Sequence, residues 1–268
     1  MEKKFKLGVI GAGFMASSII SGAIRAGCVS PDDVIVSDIN QNSLDKISTF
    51  GVCTTFDSAE VCNNSEYVII AVKPQNFNEV SVKIAKCSCN KYISIMAGVK
   101  IEKIKSLLGQ VKVARCMPNT PCSVSSGAVG IDVSDFIDNK ERQFIISLFS
   151  SFATVSVLPE SLINAVTGIS GSSPAYFYLF AKSVIEAGVN NGLPYEDAKN
   201  LAVNTMIGAG KMILANPDRS IDELISSVCS KGGTTIEAVK VFEQSQLTNI
   251  TGKAVNACIK RASELENL

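Results

Sequence analysis

Through its first half the chain alternates short apolar runs with stretches whose apolar residues recur at helical spacing. Leu7, Val9 and Ile10 suit a buried parallel strand that stops at Gly11-Ala12-Gly13. A helical pattern follows, with Ala16, Ile19, Ile20, Ala23 and Ile24 on one side and Gly27 closing the turn. Val34–Ser37 reads as a second strand ending at Asp38, Leu44–Phe50 as a helix capped by Gly51, and Val52–Thr54 as a short strand. Tyr67–Val72 is continuously apolar, as a strand buried on both faces should be, and breaks at Lys73-Pro74 because proline cannot continue a ladder. Tyr92–Met96 is another such strand, leaving through Ala97-Gly98. The pattern then predicts a helix over Ile101–Leu108 and a strand near Lys112–Cys116 that runs out at Met117-Pro118-Asn119. Strands alternating with helices predict an α/β fold with a Rossmann-like, doubly wound parallel sheet over residues 1–160.

Past about residue 160 only helical patterns remain, and residues 161–268 are expected to form an all-α domain. Pro174 opens one helix that stops near Asn190-Asn191-Gly192, and Pro194 opens the next, which ends near Asn216-Pro217. Ala175–Ala181 carries no charge and Leu201–Ile213 only Lys211. Helices apolar around most of their circumference must be covered on all sides, and a domain of this size has too little interior for that. We therefore expect a homo-oligomer, with these helices at the subunit interface.

The first glycine turn carries chemistry as well as geometry. A strand, Gly11-Ala12-Gly13 and a helix holding Ala16 match the dinucleotide fingerprint G-x-G-x-x-A. Gly11 permits the turn, Gly13 lets a pyrophosphate approach the backbone, and Ala16 keeps the helix against the sheet. The free N–H groups and positive dipole end of the helix then face the phosphates. Gly11–Gly13, Lys73-Pro74, Ala97-Gly98 and Met117–Asn119 all fall beyond the carboxyl ends of strands, where such folds hold ligands. Asp38 stands where the adenosine ribose is read, and no Lys or Arg follows between Ile39 and Asp45 to accept a 2′-phosphate. That predicts a preference for NADH over NADPH.

Composition removes several alternatives. Lys plus Arg and Asp plus Glu both number 25, so no basic field invites nucleic acid. No apolar run is long enough to span a bilayer and no apolar signal region opens the chain, so we expect a cytoplasmic protein without a membrane partner. Nine scattered cysteines suit reduced thiols, and Cys87-Ser88-Cys89 is too close for a usual zinc pair, so no metal is expected. The chain has no histidine, which removes Ser-His-Asp and Cys-His systems and the imidazole acid of many hydroxyacid dehydrogenases.

A second motif lies far along the chain, in Cys229-Ser230-Lys231-Gly232-Gly233-Thr234-Thr235 directly before the helical run Ile236, Val239 and Phe242. Thr234 alone would suffice as an N-cap. Two glycines and a second threonine exceed that need and point to an anion pocket for a carboxylate.

Taken together, IGAGFM at 10–15, AVKP at 71–74, RCMPNTP at 115–121, GISGSSPAY at 168–176 and CSKGGTTIEAV at 229–239 resemble the pyrroline-5-carboxylate reductase family across essentially the whole chain. The resemblance implies an NADP- or NAD-binding domain followed by a helical dimerisation domain, often in a ring of dimers, and reduction of 1-pyrroline-5-carboxylate to L-proline. It implies that Gly11, Ala12, Gly13, Phe14, Met15, Ala71, Val72, Lys73 and Pro74 line the cofactor. Ala97, Gly98, Met117, Pro118 and Asn119 would lie near the nicotinamide. Gly232, Gly233, Thr234 and Thr235 would hold the substrate carboxylate, and the Thr235 hydroxyl would face the ring nitrogen. Three positions depart from the common pattern: Lys231 replaces a proline, Ser173 a glycine, and Ser58, near the cofactor, an asparagine. A related imine or β-hydroxyacid dehydrogenase is the nearest alternative. It would call for a lysine in the helical domain, where Lys182 and Lys211 both read as helix-surface residues. A nucleotide-sensing regulator that had lost catalysis is the alternative of another class, and the intact Gly-Gly-Thr-Thr argues against it.

Overall fold

The computed structural model describes residues 4–266. Eight strands form one sheet in the order β3-β2-β1-β4-β5-β6-β7-β8: β1 Phe5–Ile10, β2 Val34–Ser37, β3 Cys53–Thr55, β4 Ser65–Ile70, β5 Lys91–Ser94, β6 Lys112–Met117, β7 Gly127–Asp132 and β8 Ala153–Val157. The first six are all parallel, and their 3-2-1-4-5-6 order reverses direction between β1 and β4. In a doubly wound sheet that reversal opens the crevice that takes the ligand.

The helices of this half are α1 Phe14–Arg25, α2 Gln41–Ser48, α3 Ser58–Asn64, α4 Phe77–Ile84, α5 Ile101–Leu108, α6 Asn139–Ser150 and α7 Ile163–Val166. They cover both faces of the sheet because the strands alternate their apolar side chains. Tyr67 and Ile69 join the core beneath α1 and α6, whereas Val68 and Ile70 join the core with α4 and α5. The helical stripe read from the sequence is the buried face of α1, with Ala16, Ile19, Ile20 and Ala23 all enclosed. Gly22 on the same helix has no room for a side chain, since a Cβ there would sit 2.7 Å from the Phe152 ring.

The sheet departs from the sequence expectation at one end. β7 and β8 carry weak strand signals and extend it, and β7 runs antiparallel to β6. The link between them is only a short 3-10 turn, Thr120–Val124, with left-handed Ser125 after it, and a parallel return would need a crossover of a dozen or more residues. α6 supplies such a crossover, and β8 is accordingly parallel to β7.

Beyond residue 160 the chain is helical, as expected: α8 Ser173–Asn190, α9 Tyr195–Ala215, α10 Ile221–Val228, α11 Thr234–Gln244 and α12 Leu247–Leu265. Among the described residues, 4–174 and 257–266 form one compact unit and 175–256 another. The second unit leaves much of its apolar surface open in the single chain. Phe177 is 57% exposed, Leu179 66% and Ile207 51%, and an apolar groove of about 530 Å³ runs between α8 and α9, lined by Phe177, Phe180, Leu201 and Met206 among others.

Candidate active site

The reversal point is built from the turn after β1 and the turn after β4. The Gly11 N–H donates to the Ser37 carbonyl (2.7 Å) and the Ala71 N–H to the Ile10 carbonyl (2.8 Å), so the ends of three strands are drawn together. Gly11 has φ +100°, and a Cβ there would lie 2.8 Å from the Ala71 carbonyl oxygen. Glycine is thus required by the fold at this position. Gly13 is different: its backbone is extended and nothing lies within 4 Å of where a Cβ would stand. The fold leaves the space beside Gly13 open, room that a pyrophosphate approaching the backbone would use. Gly13 is also the N-cap of α1 with no side-chain cap, so the first N–H groups of the helix face the crevice without an internal partner. These features fit a dinucleotide pyrophosphate. Phe14, 63% exposed, and half-buried Met15 follow on the first turn.

Asp38 does more than the sequence suggested. Its Oδ2 accepts the Ala12 N–H (2.7 Å) and its Oδ1 the Asn40 N–H (2.9 Å), so the carboxylate holds the fingerprint turn in shape. Each oxygen keeps a second lone pair for a ribose hydroxyl. The Ala12 N–H is already committed, which leaves the amides from Gly13 onward for phosphate. Ser58, the first residue of α3, lies with its hydroxyl 3.2 Å from that of buried Ser37.

The other edge loops follow the same rim. Exposed Lys73 precedes a short 3-10 turn, Pro74–Asn76. Half-buried Ala97 and buried Gly98 follow β5, with Gly98 at φ +68° and a Cβ there 2.6 Å from Leu265. Met117 ends β6 and is half-buried; Pro118 and Asn119 are buried. The Asn119 side chain is given to the fold: its Nδ2 donates to the Ser170 carbonyl (3.1 Å) and its Oδ1 accepts the Ala128 N–H (3.0 Å). Ser170 lies in a π-turn, Thr167–Gly171, where Gly171 is tight against Met117, with 2.8 Å between Met117 Cε and a Cβ placed there. Such turns cluster at functional sites. The small residues of GISGSSPAY were the visible signal for it, but helical spacing alone does not distinguish a π-turn from an ordinary one.

Gly232, Gly233, Thr234 and Thr235 lie in the second unit. Gly232 has φ +74°, Gly233 is the N-cap of α11, and the Gly233 N–H closes the turn onto the Ser230 carbonyl (3.0 Å). Thr234 and Thr235 are exposed at the helix start, and no side chain caps it. The dipole end and hydroxyls of α11 are therefore open to an anion. Lys231 is exposed beside them. Lys182 and Lys211 are exposed, as read; Lys182 lies 3.6 Å from Glu186 one turn on.

Full-length similarity decides the family. The chain is 33% identical to the pyrroline-5-carboxylate reductase of Vibrio alginolyticus over the whole of both chains. It is 34% identical to that of Haemophilus influenzae over 97% of each. The chain belongs to the pyrroline-5-carboxylate reductase family. Within it, the family model described as pyrroline-5-carboxylate reductase dimerisation matches residues 160–265, and one described as NADP oxidoreductase, coenzyme F420-dependent, matches residues 6–98. The fold is also that of solved pyrroline-5-carboxylate reductases. The Coxiella burnetii structure superposes with a TM-score of 0.89 at 32% identity, covering 98% of this chain and 99% of that one. The Plasmodium falciparum structure, with NADP bound, gives 0.89 at 26%, covering 99% and 100%.

Proposed function

We propose that this protein reduces 1-pyrroline-5-carboxylate to L-proline with a reduced nicotinamide cofactor. We divide its work at 160/161, with the sheet domain for the cofactor and the helical domain for substrate and dimerisation. The observation that carries the cofactor half is the open Gly13 at an uncapped helix start on the reversal point of the sheet. When bound, the cofactor supplies a hydride. The chain's own residues then have to bind, orient and exclude water.

The chemistry suits a chain without histidine. A protonated cyclic imine already makes its ring carbon a hydride acceptor, so reduction need not wait for a strong acid. What remains is to hold two rings in reacting order, which is catalysis by orientation. On this reading the edge loops at Ala97-Gly98 and Met117–Asn119 set the nicotinamide. The amides from Gly232 to Thr235 take the substrate carboxylate, and the Thr235 hydroxyl steadies the ring N–H. Asp38, with lone pairs left for ribose and no cation following it, supports NADH as the preferred donor. A 2′-phosphate would bring about −1.5 to −2 charges against the carboxylate. The exposed apolar helices of the second unit support a homodimer or a larger ring of dimers. We place the protein in the cytoplasm.

Steady-state kinetics of the wild type and Thr235→Ala with each cofactor test the reading. The wild type is expected to oxidise reduced cofactor only when 1-pyrroline-5-carboxylate is present, with the higher kcat/KM for NADH. Losing one hydrogen bond to a charged group should cost Thr235→Ala roughly 1.5–3 kcal/mol in kcat/KM while cofactor affinity stays constant. A variant within twofold of the wild type removes Thr235 from the mechanism.

A further inference from the structure

Arg115 is the largest fully buried side chain of the molecule among the described residues, and nothing in the hydride transfer calls for it. It lies on β6, two residues before Met117. Its guanidinium reaches Glu160 Oε1 (3.1 Å), Asn164 Oδ1 (3.1 Å) and Glu266 Oε1 (3.0 Å). The same Glu160 oxygen accepts the N–H of Ile101, at the start of α5 (2.7 Å). Glu266 Oε2 lies 3.4 Å from Lys100 Nζ, directly after the Ala97-Gly98 loop. Burial disfavours the Glu266 charge, yet Arg115, Asn164 and Lys100 hold its carboxyl below the usual range. One buried cation thus ties the end of the chain to the roots of two edge loops.

The rest of the terminal segment adds to this. Leu265 and the Ala262 carbonyl fill the space beside Gly98, so that left-handed glycine has tail atoms where a side chain would go. The Asn164 amide donates to the Ser263 hydroxyl (3.2 Å). The Cys258 thiol donates to the Ser172 hydroxyl (3.2 Å), at the end of the π-turn that takes the Asn119 bond. Contacts spaced along residues 258–266 therefore reach the backing of the Gly98 loop, the Met117 strand through Arg115, and the end of the π-turn.

We propose that residues 257–266 act as a strap whose Arg115–Glu266 pair sets the position of the nicotinamide-facing loops, making Arg115 and Glu266 positioning residues for the reduction. This rests on the reading that those loops receive the nicotinamide. The pair touches neither the fingerprint turn nor Asp38, so its effect belongs to one end of the cofactor. Removing the Glu266 carboxylate leaves part of a buried guanidinium without its partner and frees the strap from β6.

The test compares two probes on the full-length protein: ADP-ribose, which lacks the nicotinamide, and whole NADH. For Glu266→Ala the expected result is unchanged ADP-ribose affinity, NADH affinity about tenfold weaker, and a kcat lowered by a similar factor because the reacting ring is misplaced. Equal weakening of both probes makes the pair merely structural and overturns the proposal, as does no weakening of either. Should Glu266→Ala fail to fold, Glu266→Gln keeps the shape and a neutral acceptor. It should show the same selective loss on a smaller scale, and a parallel loss on both probes overturns the proposal there too. A wild type that binds neither probe overturns the functional reading and the strap with it.

Discussion

At the residue scale, two glycines two positions apart in one motif do different work, and substitution separates them. Gly11 is left-handed and pressed on the Ala71 carbonyl, so Gly11→Ala should destabilise the fold by about 1–3 kcal/mol. Gly13 has an ordinary extended backbone with open space around it. Gly13→Ala should therefore change stability by less than about 1 kcal/mol, since the freedom lost by the unfolded chain is offset by alanine's poorer fit at the N-cap. It should nevertheless weaken cofactor binding, because the new methyl group meets the pyrophosphate. Denaturant unfolding paired with a cofactor titration reads both effects. A Gly13→Ala protein that binds cofactor normally would leave the fingerprint without its ligand. Asp38 shows the limit of reading single residues from sequence: its place at the strand end was legible, but its bond to the Ala12 N–H depends on how two turns meet in space. The Asn119 side chain is similar, standing in a site motif yet spent on holding Ser170 and Ala128.

At the element scale, the amino-terminal rim of the sheet is held by charge. Glu66 lies 2.7 Å from Lys6 and 3.2 Å from Lys91, and Glu141 lies 3.0 Å from Lys91 and within bonding distance of Lys112. Lys112 holds the Glu141 carboxyl below its usual range, with Lys91 adding to it against burial. For Glu66, burial pushes upward, but Lys6 and Lys91 prevail and the pKa is lowered. Because the folded values lie below the unfolded ones, this stabilisation is complete above the unfolded carboxylate pKa and is lost as pH falls through the folded values. Denaturant midpoints measured downward from neutral pH should fall across that acid window, and Glu141→Gln should flatten the fall. A pH dependence unchanged in the variant would assign acid sensitivity elsewhere. The elements themselves were largely legible: apolar runs mark β1, β4 and β5, and α5 matches its expected span, Ile101–Leu108. β7 and β8 were not legible. Gly127 and Gly130 dilute the first, and the second alternates with exposed polar residues at the sheet edge. Their direction was set by the length of a connection rather than by any residue's preference.

At the scale of the whole molecule, the apolar helices of residues 175–256 are the strongest evidence that one chain is not the working unit. Phe180 packs on Phe242 with ring centroids 6.1 Å apart and remains 45% exposed. A carboxylate at that position would be buried unpaired in an oligomer and tolerated in an isolated chain. Phe180→Glu is therefore expected to lower the mass seen by light scattering, whereas a wild-type monomer at micromolar concentration would refute the oligomer. No helix among the described residues is long and apolar enough to cross a membrane. The Gly11–Gly13 turn lies in one compact unit and the Gly232–Thr235 loop in the other. The most direct measurement follows deuterium from reduced cofactor labelled at the transferable position of the nicotinamide into product formed from 1-pyrroline-5-carboxylate. The account predicts L-proline carrying one deuterium at the carbon that formed the imine double bond. Proline without the label, or label released to water, would contradict it.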